Sequence, residues 1–341
     1  MNMKRFKTEI TKIHYDKNAK GVLFNVLKFS SLFYGIGSGL KNKLYDKGIL
    51  KPHKVDAFVI SVGNLTTGGV GKTPVVAEIA KYLMEKGEKT AIISRGYGGK
   101  LSNKNINVIS DGKTTFYEAE MAGDEPFWLA QNTKAVVITS KNRVKASEFA
   151  IKNYGVTKII LDDGFQHRKL HRDLDIVLMD SEKGFGNENL LPAGPLREGT
   201  EAFSRVDKLV IVSKNTDHSR AEKLAKIMGK KLKLKTLVAK AEPDIVYNIK
   251  TEEELLKGTK AYAICAIGQP EQFYAFLKDY DIVSTITFDD HHRYTEEEIS
   301  KINGDIITTE KDAVKLKTFG FDNIYALRLK TVIDCEELLH G

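Results

Sequence analysis

The stretch that most constrains the fold is residues 61–76, SVGNLTTGGVGKTPVV. An apolar, β-branched run ends in glycines, and Lys72 and Thr73 then open a helical pattern. Pro74 suits the first helical turn, where no N–H donor is needed. A strand, a glycine-rich turn and a helix in this order predict an anion site at the positive end of the helix. The backbone N–H groups expected to surround the anion belong to Gly68, Gly69, Val70, Gly71, Lys72 and Thr73.

This loop departs from the phosphate-binding pattern GxxxxGK[ST] at its first glycine, where the chain has Thr66. We expect Gly68 and Gly69 to supply the positive φ angles that this glycine usually provides. Lys72 would then reach the β- and γ-phosphates of a nucleotide, and the Thr73 hydroxyl would ligate Mg²⁺. A glycine-rich turn with a chance GKT is the alternative, but the coincidence of all these features favours a nucleotide site.

Strand-like and helical stretches alternate from residue 56 onward, which predicts an α/β fold with a P-loop NTPase-like, mainly parallel sheet covered by helices on both faces. Such sheets bind ligands at the carboxyl ends of their strands. We assign this core domain to residues 46–215. Its strands are expected at 56–64, 89–98, 135–140, 157–163, 174–180 and 207–214, and two of its helices at 74–87 and 143–155, each closing on a glycine.

A second, smaller α/β lobe is expected over residues 216–341, because strand and helix patterns alternate again from residue 261. Ahead of them, residues 230–240 (KKLKLKTLVAK) alternate lysine with apolar side chains at period two. This alternation predicts a strand with one basic face, which is either simply solvated or a binding patch.

Asp162 and Asp163 end the aliphatic run IILDD, where a P-loop protein needs a carboxylate for its Mg²⁺. Gln166 and His167 follow directly, and the next turn is rich in basic residues. Paired aspartates after a strand also serve as helix caps, but the concentration of Mg²⁺-type and phosphate-type groups favours a functional corner.

The basic composition favours anionic partners, since the formal net charge is +8. Cys265 and Cys335 lack metal spacing and fit a reducing cytoplasm. Residues 1–45 form a polar extension followed by a largely apolar stretch, 21–40, whose central Lys28 disfavours a membrane span. The stretch predicts either a helix on a membrane surface or one packed on its own protein. For the surface helix, the bilayer-facing residues would be Phe24, Leu27, Phe33 and Tyr34, and the lipid-phosphate ligands Lys28, Lys41 and Lys43.

Five further polar motifs fall in predicted loops. Asp124, and the pair His291 and His292, are suitable types for a base that accepts a hydroxyl proton. Each motif alone is also compatible with a structural role, such as a turn, a helix cap or a surface loop. The motifs are RGYGG (95–99), GDEP (123–126), LLPAGPLRE (190–198), FDDHHRY (288–294) and TTEKDAVK (308–315).

Together with the loop at 61–76 and LDDGFQHRKL, these motifs closely resemble the tetraacyldisaccharide 4'-kinases, and they span residues 60–316 in register. The threonine at the first Walker position is itself typical of that family. The resemblance implies an enzyme that uses ATP and Mg²⁺ to phosphorylate the 4' hydroxyl of a tetraacylated glucosamine disaccharide 1-phosphate in lipid A biosynthesis. It also implies an N-terminal helix docked on the anionic cytoplasmic face of the bacterial inner membrane.

The family's site residues map onto this chain position by position. The resemblance implies that Asp124 and His291 assist proton removal and that lobe closure brings them together. It also implies that Asp162 and Asp163 line the site, where the loop and strand patterns predict that they hold the metal with Thr73. The residues expected to line the substrate or phosphate cleft are Arg95, Tyr97, Gln166, His167, Arg197 and Glu198. Residues 1–20 look longer than the family needs.

Two other protein classes remain as alternatives. A deviant-Walker ATPase acting in positioning or assembly has the loop KGGxGK[ST], which TGGVGKT matches except at its first lysine, replaced by Thr67. That lysine reaches across a dimer to the partner's nucleotide, so its replacement argues against this class. A nucleic-acid-binding P-loop protein is permitted by the charge, but no aromatic-basic motif supports it, and no protein partner is indicated.

Overall fold

The computed structural model describes residues 3–103, 106–267, 270–289 and 292–340. Contacts between the residues divide the chain into two compact units. The first unit comprises residues 1–212, 219–239 and 333–341, and the second comprises 213–218 and 240–332. In chain order the elements up to residue 213 are α1 (Met3–Tyr15), α2 (Val22–Asp46), β1 (Phe58–Asn64), α3 (Lys72–Glu85), β2 (Thr90–Ser94), β3 (Asn107–Asp111), α4 (Ala119–Ala122), α5 (Asp124–Asn132), β4 (Val136–Thr139), α6 (Arg143–Tyr154), β5 (Lys158–Asp162), β6 (Leu174–Asp180) and β7 (Lys208–Ser213).

The remaining elements follow residue 218, and short 3₁₀ helices occupy 100–103, 200–205 and 317–319. They are α7 (Ser219–Leu232), β8 (Lys235–Asn248), β9 (Lys260–Cys265), α8 (Pro270–Ala275), β10 (Asp281–Thr287), α9 (Glu296–Ser300), β11 (Asp305–Thr309), α10 (Glu310–Leu316), β12 (Ile324–Val332) and α11 (Cys335–His340).

The sheet of the first unit has the strand order β7-β6-β1-β5-β2-β4-β3. All neighbouring pairs are parallel except β3 with β4. Alternate residues enter two cores: Ile60 and Ile160 pack in the core that holds α3, whereas Val59 and Ile159 pack in the one that holds α6. The prediction of a mainly parallel sheet with helices on both faces is confirmed, and the carboxyl ends of β1 and β5 lie at one edge.

The sheet of the second unit runs β10-β9-β11-β12-β8. Its pairs are parallel except β12 with β8. Two apolar clusters cover it, one around Phe273 and Phe276 and the other around Tyr294 and Leu316. The predicted second α/β lobe is therefore present.

The two units do not divide at the expected boundary near residue 215. Helix α7 belongs to the first unit because Ala221, Ala225 and Met228 form a helical stripe in the core beside β6 and β7. The helix continues to Leu232. The strand predicted from residue 230 therefore begins only at Lys235. Helix α11 also joins the first unit, where Leu338 packs in the core that holds α3.

Candidate active site

The predicted phosphate loop joins the end of β1 to the start of α3. Gly71 is the N-cap of α3 in the left-handed conformation, with φ 98° and ψ 31°, and Gly68 has φ 108°. The expectation that Gly69 supplies a positive φ is wrong, because Gly71 takes that role at the helix entrance. The helix therefore begins directly at Lys72, as the GKT motif predicts.

Lys72 reaches back across the loop, and its side chain is only 12% exposed. Its Nζ donates to the Oδ1 of Asn64 at 3.1 Å and lies 3.5 Å from the Oδ1 of Asp163. Asn64 is fully buried, and its Nδ2 donates to the carbonyl of Thr66 at 2.5 Å. The last residue of β1 thus holds both the lysine and the entrance of the loop.

The loop entrance is paired with the segment LLPAGPLRE. Thr66 is buried and forms a β-bridge with Leu196. The N–H of Thr67 donates to the carbonyl of Pro195 at 2.7 Å, and the N–H of Arg197 donates to the carbonyl of Leu65 at 2.7 Å. Thr66 is not among the positive-φ residues, so the threonine at the first Walker position causes no backbone strain.

Asp162 ends β5 and is 2% exposed. Its Oδ1 is buried without a hydrogen-bond partner in the part of the chain that the structure describes. Burial, helped by the charge of Glu125, raises the pKa of this carboxyl to about 7 although Lys72 opposes the shift. Asp162 is therefore a buried, incompletely satisfied carboxylate at the carboxyl edge of the sheet.

Asp163 has the opposite electrostatic character. Its two oxygens accept hydrogen bonds from the Nη1 of Arg197 at 2.9 and 2.8 Å, in addition to the contact with Lys72. Burial raises its pKa, but the cations Lys72 and Arg197 outweigh burial and hold the pKa below its ordinary value. Its φ of 56° is left-handed, a conformation that aspartate tolerates better than most residues.

Gln166 and His167 complete this corner. The Gln166 side chain donates to the carbonyl of Asn64 at 3.0 Å and accepts from Arg197 at 3.4 Å. Burial, followed by the charges of Arg143 and Lys41, lowers the pKa of His167 to about 4. The imidazole is therefore neutral near pH 7, and its Nε2 is buried without a partner within the described ranges.

The RGYGG and GDEP loops pack against each other through their glycines. A Cβ on Gly99 would lie 2.6 Å from the backbone nitrogen of Gly123, and one on Gly123 would lie 2.8 Å from the carbonyl oxygen of Tyr97. Asp124 is exposed at the first position of α5, while Arg95 and Tyr97 are also exposed. The fold thus brings these two loops together, although 23 intervening residues separate them in sequence.

Glu198 does not line an open cleft as expected. It is 4% exposed, and its Oε2 accepts from the Nη2 of Arg205 at 2.9 Å and from the Nδ2 of Asn42 at 2.5 Å. These partners are supplied by a 3₁₀ helix and by α2, so no local pattern predicts them. The Glu198 carboxylate thus connects α2 to the core through hydrogen bonds, while the neighbouring Arg197 donates to Asp163.

The predicted catalytic histidine, His291, lies outside the described residues. Its neighbour His292 stacks on Phe288 with a centroid distance of 4.7 Å, and its Nε2 lies 3.1 Å from the Oε2 of Glu298. His292 therefore has a local role in the second unit, where it stabilises the turn that precedes α9.

The N-terminal helix α2 packs one face on the protein and exposes the other. Ser31 is buried and donates to the carbonyl of Leu190 at 2.9 Å, while Tyr34 donates to the carbonyl of Arg197 at 3.0 Å. The alternative of a helix packed on its own protein therefore holds for this face, and the opposite face carries exposed large apolar side chains. These exposed residues are Val22, Val26, Phe29, Leu32, Phe33, Ile36 and Leu40.

The expected membrane-facing set needs correction. Phe24 and Leu27 are partly buried, because helical spacing turns them away from the exposed stripe. Lys41 is exposed, but it donates to the carbonyl of Gln166 at 3.0 Å, so its ammonium contacts the candidate site. Within the described residues, no helix is long and apolar enough to cross a membrane.

Sequence reasoning missed three contributors to the site: Asn64, Lys41 and Arg143. Arg143 is buried and donates to the carbonyls of Asp162 and Asp163 at 3.1 and 3.3 Å. Asn64 could have been found from its position, since a polar residue ending a buried strand directly before a glycine-rich loop needs a partner. Nothing local distinguishes Lys41 or Arg143 from other basic residues on helices.

Similar proteins are known over most of this chain. A family model described as LpxK, tetraacyldisaccharide-1-P 4'-kinase, matches residues 23–340. The chain is 39% identical over 340 residues to the tetraacyldisaccharide 4'-kinase of Desulfotalea psychrophila, covering 94% of this chain and 97% of the relative. It is 38% identical over 333 residues to the corresponding protein of Halothermothrix orenii, covering 89% and 85% respectively.

A solved structure is similar along most of the chain. The crystal structure of LpxK from Aquifex aeolicus in complex with ATP has a TM-score of 0.73 and 34% identity, and the match covers 93% of this chain and 97% of that one. Sequence and structure agree over the same extent, so the chain belongs to the tetraacyldisaccharide-1-P 4'-kinase family.

Proposed function

We propose that this chain is an ATP-dependent kinase that phosphorylates the 4' hydroxyl of a tetraacylated glucosamine disaccharide 1-phosphate. The observation that carries the proposal is the placement of Lys72 at the head of α3, held by Asn64 beside Asp163. The similar Aquifex aeolicus protein was solved in complex with ATP, which supports ATP as the phosphoryl donor. The P-loop cradle and Lys72 would bind the triphosphate, and the lysine would neutralise charge on the transferred phosphoryl.

The residues expected to hold Mg²⁺ fit a divalent cation. The Oδ1 of Asp162 is buried without a partner among the described residues, and a cation would stabilise the charged form of this carboxyl group. Thr73 supplies a hydroxyl in the first turn of α3, and Asp163 supplies a second carboxylate. When bound, Mg²⁺ would neutralise charge on the phosphate oxygens. No group of three or more histidine, cysteine, aspartate or glutamate side chains suited to a metal occurs among the described residues, so this set depends on the threonine and on the substrate.

Asp124 is assigned the role of accepting the proton of the 4' hydroxyl, together with His291. Its carboxylate is exposed at the start of α5 and forms no hydrogen bond or ion pair among the described residues. A carboxylate without a partner is available for an incoming hydroxyl group. Its position beside the RGYGG loop also associates it with Arg95 and Tyr97, which we assign to substrate or phosphate binding.

Arg197, Gln166 and His167 are assigned to the phosphate cleft. Arg197 already binds a carboxylate through its Nη1, and a phosphate group would offer similar acceptor geometry. His167 is neutral near pH 7 because burial lowers its pKa to about 4, so it would act as a hydrogen-bonding group rather than as a cation. Glu198 is excluded from this set by its burial against Arg205.

The apolar face of α2 is assigned to the cytoplasmic face of the bacterial inner membrane, where an acylated substrate would reside. The side chains of Val22, Val26, Phe29, Phe33 and Ile36 recur at the three- and four-residue spacing of one helix face. Lys28 and Lys43 are exposed on the same helix and would contact anionic headgroups. A surface helix of this kind binds without spanning the bilayer.

The decisive experiment incubates purified protein in detergent with ATP, Mg²⁺ and the lipid disaccharide 1-phosphate. We expect disaccharide-dependent transfer of phosphate, read out by mass spectrometry of the lipid product. ATP hydrolysis that is independent of the disaccharide, without lipid phosphorylation, would instead favour the deviant-Walker ATPase.

Membrane contact is tested by sedimentation with vesicles that contain anionic lipid. Replacing Phe29 and Phe33 by serine removes two exposed rings, each worth about 1.5–3 kcal/mol when fully buried, so vesicle binding should fall by tenfold or more. The matched control replaces the exposed Phe116, which lies outside α2. Unchanged sedimentation of the double variant would refute the assignment of this face.

A further inference from the structure

The end of helix α1 is bonded to the turn that carries LLPAGPLRE. The carbonyls of Ile13 and His14 accept from the side-chain and backbone nitrogens of Asn187 at 2.9 and 2.8 Å. The buried His14 lies with its Nε2 3.0 Å from the carbonyl of Pro192. These residues precede residue 23, where the family match begins.

The same helix end touches the phosphate loop. The hydroxyl of Tyr15 donates to the carbonyl of Thr67 at 3.1 Å, and the N–H of Thr67 donates to Pro195 at 2.7 Å. Both backbone polar groups of Thr67 are therefore hydrogen-bonded. The ammonium of Lys183 lies 5.4 Å from the centre of the Tyr15 ring, which holds the ring over the loop.

The bond to the Thr67 carbonyl has a consequence for the next residue. A carbonyl and the following N–H belong to one planar trans peptide and point in opposite directions. Fixing the Thr67 carbonyl therefore fixes the direction of the Gly68 N–H, one of the donors expected to face the phosphates. Gly68 has φ 108°, and an added Cβ would find only the Tyr15 hydroxyl within 4 Å. A glycine with open surroundings needs an external constraint to keep one conformation.

We propose that Tyr15 is a positioning residue for phosphate binding, which orients the Gly68 N–H through its hydrogen bond to the Thr67 carbonyl. The inference rests on the proposed function, since it assumes that the loop binds ATP. The hydrogen bond also polarises the peptide and strengthens the opposite N–H as a donor. Burial, and then the charge of Asp180, raise the pKa of Tyr15, so the hydroxyl keeps its proton at neutral pH.

The test compares Tyr15→Phe with the wild type and with Tyr154→Phe. The phenylalanine keeps the ring and its packing and removes only the hydroxyl. Tyr154 is a half-buried tyrosine at the end of α6, and its hydroxyl makes no hydrogen bond within the described part of the chain. Dissociation constants are measured for ATP with Mg²⁺ and for adenosine, together with KM for the lipid disaccharide 1-phosphate.

Loss of one hydrogen bond is expected to weaken ATP binding about fivefold. Adenosine, which has no phosphates, should bind Tyr15→Phe as it binds the wild type, and KM for the disaccharide should not change. An unchanged affinity for ATP, or an equal loss for ATP and adenosine, would overturn the positioning role. Failure of the wild type to bind ATP would overturn the proposed function, and this inference with it.

Discussion

Two buried aspartates, one in each compact unit, lie at or just after the end of a parallel strand, yet they differ in what surrounds their carboxylates. Asp162 at the end of β5 has an oxygen without a partner within the described residues. Asp312 follows β11 by three residues and is fully buried. Its Oδ2 accepts from the N–H of Ala266 and the hydroxyl of Thr309, and its Oδ1 accepts from Lys315.

The difference separates a structural carboxylate from a candidate ligand-binding one. A buried carboxylate whose hydrogen bonds are all made stabilises its surroundings, and Asp312 joins the end of β9 to α10 in this way. A buried carboxylate with an unpaired oxygen reduces the stability of the fold and is tolerated where a ligand completes it. The motif TTEKDAVK is thus explained locally by helix capping, because Thr309 accepts from the N–H of Asp312.

The largest expected effect concerns Lys72, the lysine beside Asp162 and Asp163. Lys72→Ala should abolish phosphate transfer because the transferred phosphoryl loses its counter-charge. The matched control is Lys81→Ala on the same helix, which removes only an exposed pair with Glu78. Turnover is measured with the lipid disaccharide. Near-normal activity of Lys72→Ala would contradict the assignment of the loop and the neighbouring carboxylates to ligand binding.

Removal of the satisfied carboxylate should instead reduce stability. Asp312→Ala leaves Ala266, Thr309 and Lys315 without their shared acceptor, which should lower the free energy of unfolding by about 3–5 kcal/mol. Asp279→Ala, which removes an exposed partner of Lys257 in the same unit, should cost no more than about 1 kcal/mol. Chemical denaturation measures both, and equal small losses would contradict the structural role of Asp312.

The pH dependence of stability sharpens the contrast for Asp162. Burial raises its pKa to about 7 in the folded chain, whereas an unfolded aspartate titrates near about 3.9. The associated stability is fully present below about pH 4 and is lost as the pH rises through about 7. In a chelating buffer, the wild type should therefore lose at most about 4 kcal/mol relative to Asp162→Asn between these pH values.

Addition of Mg²⁺ provides the second arm of that measurement. A cation at the carboxylate favours its charged form, so the relative loss of stability should shrink when Mg²⁺ is present. Parallel stability curves for the two proteins in chelator would show that the unpaired oxygen does not perturb the titration of Asp162.

The smallest effect concerns Asp124, the exposed carboxylate of the same unit. Asp124→Asn should lower kcat about 100-fold and change KM for ATP little, because loss of a base acts on the transition state. Glu120→Gln, which alters an exposed pair with Lys100, should leave kcat unchanged. If Asp124→Asn only weakened ATP binding, the assignment of a base would be wrong.

Much of the first unit could be predicted because its signals are local. The strands follow from β-branched runs, and α6 is followed by the C-cap Gly155, whose φ of 62° fits the expected left-handed cap. The strand start at residue 230 was wrong because period-two alternation and a helical stripe overlap there, and packing beside β6 and β7 decided for the helix. The positive φ expected at Gly69 occurs instead at Gly71 for a similar reason. Which glycine must be left-handed depends on where the helix begins.

The sequence by itself determined the α/β class and the position of the phosphate loop, because periodicity and a strand-glycine-helix run are contained in short contiguous segments. Only the tertiary structure decided which polar groups surround that loop. Arg197 meets Asp163 across 34 residues, Lys41 meets Gln166 across 125, and Tyr15 meets Thr67 across 52. Such partners depend on how separate elements pack, and no local pattern distinguishes the buried Glu198 from the Arg197 beside it.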